Sequence, residues 1–261
     1  MQTLLYALPA WLLIVLVIAV FVALACGGHV LVHRKFRKTD FMVHNEVAGF
    51  VIAVVGAIYA VLLAFLTVIV WQRFADAEDR AQQEANAATD VLRFSRFTAP
   101  LQGARLRDDL GRYVDVLVTQ EWPAMAHGNN SPEAQRLIVR VIGDVAELPV
   151  PNAQQSNVQN HLLERVQVMA DLRRSRNNAN RSNVPGVLWF ALIIGACTVI
   201  GFVYLFGLKN FTVHLLITAA TATMIGLSFG LILTLDYPFR GDVSVSPERW
   251  IALGEVLKSE R

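Results

Sequence analysis

Residues 45–97 run NEVAGFVIAVVGAIYAVLLAFLTVIVWQRFADAEDRAQQEANAATDVLRFSRF, and the architecture of the whole chain hangs on this segment. Val47 to Val70 contains no charged residue, and at ~1.5 Å per residue such a helix crosses a hydrocarbon core of ~30 Å. Neither proline nor glycine interrupts the run between Gly56 and Pro100, so nothing local ends the helix at the membrane surface. The expectation is one rod of roughly 75–80 Å, half in lipid and half in water. At ~100° per residue, Gly49, Ala53, Gly56, Ala60, Ala64 and Thr67 fall in one narrow stripe, which Trp71, Phe74, Glu78, Ala81, Ala85, Ala88 and Leu92 continue. Small residues at this spacing either admit another helix closely or line an aqueous pore, and both readings stand.

Outward from this segment the same pattern recurs. With 54% hydrophobic and 17% charged residues and a mean hydropathy of +0.44, the chain falls among membrane proteins. Leu4 to Ala25 is a first uncharged span, followed by the basic cluster His33, Arg34, Lys35, Arg37 and Lys38. Asn45 is placed to cap the second span, with Glu46 favourable against its dipole. Pro185 opens a third span, Val184 to Leu208, and Phe211 to Leu235 is a fourth. Between the second and third, apolar residues at helical spacing predict a helix from Pro100 to the Trp122-Pro123 boundary. Ser131-Pro132-Glu133 starts another, and a third carries Val158, Leu162, Val166 and Met169. The fold class is all-α: a polytopic membrane protein with four transmembrane helices and an extramembrane helical bundle. Its expected divisions are 1–71 (two spans and a basic loop), 72–182 (bundle), 183–236 (two spans) and 237–261 (a turn and a short helix). Basic residues flank the spans on both sides, and the side of the membrane occupied by the bundle stays open.

Three groups of residues suggest chemistry. Cys26, His29 and His33 share a helical face and are weak candidates for a metal site; a plain interfacial role is the alternative. Gly226-Leu227-Ser228-Phe229-Gly230 matches a nucleophile-elbow pattern, but it lies mid-span without a strand or a nearby histidine. The ladder Ala222, Gly226 and Gly230 reads instead as helix packing. Thr218, Thr221 and Ser228 form a polar stripe ending at Asp236. They either satisfy their own helix or border a water-filled path with Asp236, Arg240 and Asp242 at its mouth. No P-loop, dinucleotide fingerprint or zinc-protease motif occurs, so no catalytic residue and no cofactor are expected. The net charge of +2 and the absence of a basic, aromatic-interleaved patch speak against nucleic acid, and both cysteines lie in spans.

Several segments resemble the bestrophin-like domain family of bacterial membrane proteins. They are Asn45-Glu46-Val47-Ala48-Gly49-Phe50, the run from Gly56 to Phe65, Glu84-Ala85-Asn86, Glu121-Trp122-Pro123-Ala124-Met125, Tyr204-Leu205-Phe206-Gly207, and Leu235 to Val243 with Ser246-Pro247-Glu248. Gln72 after Trp71 departs from the expected glutamate. Bestrophins, of which that family is a distant likeness, are pentameric anion channels with four membrane helices per subunit and a pore lined by the second. The resemblance therefore implies a homo-oligomer, a pentamer by analogy, embedded in the lipid bilayer of a bacterial inner (cytoplasmic) membrane and passing small inorganic anions. The chain lacks the acidic calcium clasp of animal bestrophins, so calcium gating is not implied. The alternative is a non-conducting membrane sensor or assembly module acting through its bundle.

Overall fold

The computed structural model describes residue 6 and residues 8–36 and 45–259, and every regular element among them is helical. These are α1 (Ala10–Lys35), α2 (Asn45–Ser95), α3 (Pro100–Val116), α4 (Pro132–Ala146), α5 (Ala153–Arg181), α6 (Gly186–Tyr204), α7 (Phe211–Leu235) and α8 (Glu248–Ser259). Ala10–Lys35, Asn45–Ser95, Ala153–Tyr204 and Phe211–Leu235 are long and apolar enough to cross a membrane, and the charge-free part of the third is α6. The protein is thus a multi-pass, all-α membrane protein. It divides into two compact units, 1–72 with 183–236 and 241–243, and 73–182 with 237–240 and 244–261.

The unbroken 51-residue α2 follows from its lack of internal breakers. Other boundaries move. α1 starts after Pro9 and runs past Ala25 to Lys35, so His33, Arg34 and Lys35 form its last turn, where cations suit the helix dipole; Leu4, the expected start of this span, lies outside the described residues. Arg37 and Lys38 lie outside the described residues. Asn45 does not cap α2. Its amide instead pairs twice with Gly207, donating to the carbonyl and accepting from the N–H, each at 2.9 Å. α3 does not stop near Trp122: it widens into a π turn, Leu117–Glu121, and continues as Trp122–Met125. α6 is shorter than expected: Pro185, in extended backbone, is its N-cap, so it starts at Gly186, and it ends at Tyr204 rather than Leu208.

In the first unit α1 and α7 run antiparallel at close range. A Cβ on Gly226 would stand 2.9 Å from the Ile18 Cα, and one on Gly230 3.2 Å from the Ile14 Cα. The glycine pair is a packing ladder, as its spacing suggests. Tyr59 and Leu66 of α2, Leu192 and Val199 of α6, and Phe229 and Ile232 of α7 share one buried core.

The second unit closes α2, α3, α4, α5 and α8 around Val91, Leu110, Val141, Leu162, Val166 and Trp250. Its helix starts are written locally. Ser131 accepts the Ala134 N–H at 3.3 Å with Pro132 following, and Asn152 accepts the Gln155 N–H at 2.9 Å.

Candidate functional site

One face of α2, carrying Tyr59, Leu63, Leu66 and Val70, is buried in the first unit. Beside it, Gly56, Ala60, Ala64 and Thr67 open onto a groove of about 490 Å³, whose other wall includes Thr221, Ile225 and Ser228 of α7. Two stripes that are separate in the sequence therefore meet in space. Gly49 and Ala53 of the same stripe lie outside the groove, Gly49 beside Phe206. Thr218 lies outside it too, being buried between α1 and α7.

The hydroxyls around this groove are committed. Thr67 donates to Leu63 O at 2.8 Å, Thr221 to Ile217 O at 3.0 Å, and Ser228 to Met224 O at 3.1 Å. A hydroxyl has one proton, so these groups turn lone pairs rather than donors toward the groove. Ser228 has none of the surroundings of a nucleophile.

Tyr59 fixes the groove's edge. Its hydroxyl donates to Leu192 O at 3.0 Å, and its ring occupies the place a side chain on Gly195 would need. Of the mouth candidates, Asp236 is 7% exposed and accepts the Val184 N–H at 2.7 Å, holding the start of the third span. Asp242 is exposed and accepts the Ala10 N–H at 3.4 Å, at the start of α1. Arg240 stands over the Tyr237 ring at 4.0 Å, and its guanidinium fills the space beside Gly128, whose φ of +77° already favours glycine.

Cys26, His29 and His33 do not converge on a common point. Among the described residues no three of His, Cys, Asp and Glu are grouped to hold a metal. His29 is buried, edge-on to His214 at 4.1 Å and 3.3 Å from Thr218 Oγ1, while His33 packs on Phe211. His214 Nε2 donates to Val203 O at 2.8 Å, which fixes its tautomer.

A second constellation is not evident from sequence. In the second unit Glu84, Glu121 and Arg176 are fully buried and Arg173 nearly so. Arg176 donates from Nε to Glu84 at 2.7 Å and from a terminal nitrogen to Glu121 at 2.9 Å. Arg173 donates to the other Glu121 oxygen at 2.6 Å, and the Tyr113 hydroxyl to Glu84 at 2.9 Å. The Arg176 guanidinium also stacks 4.8 Å from the Trp122 ring. Burial pulls the Arg176 pKa down, but Glu84 and then Glu121 outweigh it and leave the pKa above its ordinary value. Burial, then Glu84, push the Tyr113 phenol well above its own. Arg176 therefore stays charged and the Tyr113 phenol neutral.

A profile of the bestrophin-like domain matches residues 19–250. The chain belongs to the bestrophin-like family. No curated protein matches this bestrophin-like chain. Among solved structures it is similar to a point mutant of a bacterial bestrophin homologue from Klebsiella pneumoniae, with a TM-score of 0.66 and 14% identity over 94% of this chain and 98% of that one. The zinc-phased structure of a bacterial bestrophin homologue from the same organism gives 0.64 and 14%, over 94% and 96%. A structure described as a membrane protein with a point mutation gives 0.66 and 12%, over 94% and 96%. At these identities the likeness is one of fold.

Proposed function

We propose that this bestrophin-like protein is an oligomeric ion channel that passes anions, with α2 lining the pore and the second unit as its extramembrane bundle. The observation that carries the reading is the groove where the small residues of α2 meet the hydroxyl face of α7, since one chain leaves it open and only further copies around an axis enclose a path. In this reading Gly49, Ala53, Gly56, Ala60, Ala64 and Thr67 face the path. Asp242 and Arg240 belong to its mouth, and Asp236 is occupied in holding the third span. The choice of anions rests on the family likeness.

A second reading, cation conduction, is favoured by the hydroxyls: Thr67, Thr221 and Ser228 spend their protons on backbone carbonyls and offer only lone pairs. Flux through purified protein in liposomes separates the two. A chloride gradient that drives current, with none under a potassium gradient, supports anion conduction, and the reverse supports the second reading. Gly56→Leu with Ala60→Leu is expected to lower conductance at least 10-fold in either case. Unchanged conductance in a folded oligomer sinks the assignment of the path to this stripe.

A further inference from the structure

Contacts between α2 and α5 fix how these two helices are matched. Gln155 Nε2 donates to Phe97 O at 3.1 Å, and the Phe94 and His161 rings stand 4.0 Å apart. Further along, Arg176 donates to Glu84 at 2.7 Å and Arg80 to Ser175 Oγ at 2.8 Å. As residue numbers fall along α2 they rise along α5, so the helices are antiparallel. Arg73 lies seven residues back from Arg80 and Arg181 six residues on from Ser175, ~10 Å and ~9 Å in the same direction. The two arginines are therefore level with each other at one end of the second unit.

That end adjoins two spans. Trp71, 59% exposed, precedes Arg73 by two residues on the same helix, and Arg181 precedes the first residue of α6 by five. Both arginines are exposed, and among the described residues neither has a carboxylate at ion-pairing distance, Asp76 and Glu78 of the following turn of α2 included. By contrast Arg105, Arg112, Arg165 and Arg173 of the same unit each hold a carboxylate at 2.6–3.0 Å. The two acids outside the described residues belong elsewhere along the chain. Asp40 precedes the start of α2, ~42 Å of helix from Arg73, and Glu260 follows α8, whose Val256 lines a groove with Arg93, ~30 Å along α2 from Arg73. The dipole of α5 suits Arg181 in its last turn, but Arg73 is in mid-helix, where no helix end favours a cation.

We infer that Arg73 and Arg181 together clamp the phosphodiester headgroup of an anionic phospholipid in the leaflet next to the second unit. Guanidinium forks pair bidentately with phosphate oxygens, and an exposed indole beside them suits the headgroup level. Two level cations without a counter-ion repel each other, and an anionic headgroup relieves this where a choline headgroup, carrying its own cation, does not. The inference does not depend on conduction, since it concerns lipid binding alone.

The test is tryptophan quenching of the full-length protein in phosphatidylcholine vesicles that contain an equal, minor fraction of either brominated phosphatidylglycerol or brominated phosphatidylcholine. Trp11, Trp71 and Trp189 lie at one face of the first unit, where the Tyr6 hydroxyl donates to Leu233 O, Asp236 holds the Val184 N–H and Val70 packs in one core with Val184, so quenching reads one leaflet. Trp122 and Trp250 pack in the core of the second unit. Phosphatidylglycerol is expected to bind at least about 5-fold more tightly than phosphatidylcholine, and Arg73→Gln with Arg181→Gln to bring the two within about 2-fold. Both side chains are exposed, so the variant keeps its oligomeric elution. Arg34→Gln with Lys35→Gln, at the other end of α1 from Trp11, is expected to leave the preference unchanged. Equal quenching by the two lipids, a preference that survives Arg73→Gln with Arg181→Gln, or an equal loss in Arg34→Gln with Lys35→Gln each overturns the inference.

Discussion

Glu84→Gln removes one charge from the centre of the buried network while keeping the side chain's shape. Glu84 is 0% exposed and accepts from Arg176 Nε at 2.7 Å, from a second Arg176 nitrogen at 3.3 Å and from Tyr113 at 2.9 Å. The amide keeps one acceptor but turns its NH₂ toward a guanidinium or the phenol, and two arginines are left to share Glu121. Breaking a buried pair by removing one partner costs about 3–5 kcal/mol, because the remaining charge is neither solvated nor neutralised. At about 2–4 °C per kcal/mol for a chain of this order, the unfolding midpoint should fall by on the order of 10 °C. The assay is thermal unfolding in detergent, followed by helical circular dichroism and by tryptophan fluorescence, since Trp122 stacks on Arg176. Adding Arg176→Met to Glu84→Gln should recover part of the loss, because the pair is then removed rather than split. A fall of less than about 3 °C, or strictly additive effects of the two changes, would show that the network does not hold this unit together.

Four further outcomes follow from the packing and the charges. Gly226→Ala should destabilise by about 1–3 kcal/mol, because its Cβ would press on the Ile18 backbone. Gly143→Ala, with nothing within 4 Å of the added methyl inside α4, should raise the unfolding midpoint, and the two midpoints are compared directly. Gly195→Ala should displace the Tyr59 ring, which stands where its Cβ would go; in the proposed channel conductance should change along with stability, and unaltered conductance would separate Tyr59 from the path. Burial first, then the hydrogen bond with Asp109, push Asp144 up to about 6 from 3.8. The folded state therefore favours the protonated acid. Its contribution to stability is fully present below about pH 4 and is lost as pH rises through about 6, so unfolding midpoints measured from pH 4.5 to 7.5 should fall with a slope that Asp144→Asn removes.

The sequence shows most of this architecture because its signals are local. An apolar run without breakers predicts α2 whatever it packs against, and Ser131-Pro132-Glu133 marks the start of α4 by its own chemistry. The small residues of α2 and the hydroxyls of α7 are each visible as stripes, but their meeting in one groove depends on how two helices distant in sequence are placed. The glutamate–arginine network is hidden for another reason. Arg173 and Arg176 fall in a basic stretch that reads as flanking a span, whereas Leu162, Val166, Met169, Arg173, Arg176 and Asn180 are the buried residues of α5 and recur at steps of three and four. The continuation of an apolar stripe through two arginines was the available signal, with partners waiting in the motifs around Glu84 and Glu121. Asn45 misleads because a capping residue type is also a good mimic of a peptide group, and Gly207 offers it a better match.

The π turn at Leu117–Glu121 also fixes how this segment can change by descent. Leu117, Glu121 and Met125 are four residues apart and all buried, a spacing that drifts around an ordinary α-helix and is taken up by the wider turn. Such a turn absorbs one residue more than the α-helix, so a one-residue deletion inside it closes to regular geometry and leaves the helix on either side in place. The same deletion in the regular helix before it, Pro100–Val116, would rotate everything beyond by ~100° and carry Glu121 away from Arg173 and Arg176. This short stretch is thus where the segment can lose a residue by descent and keep its glutamate between both arginines.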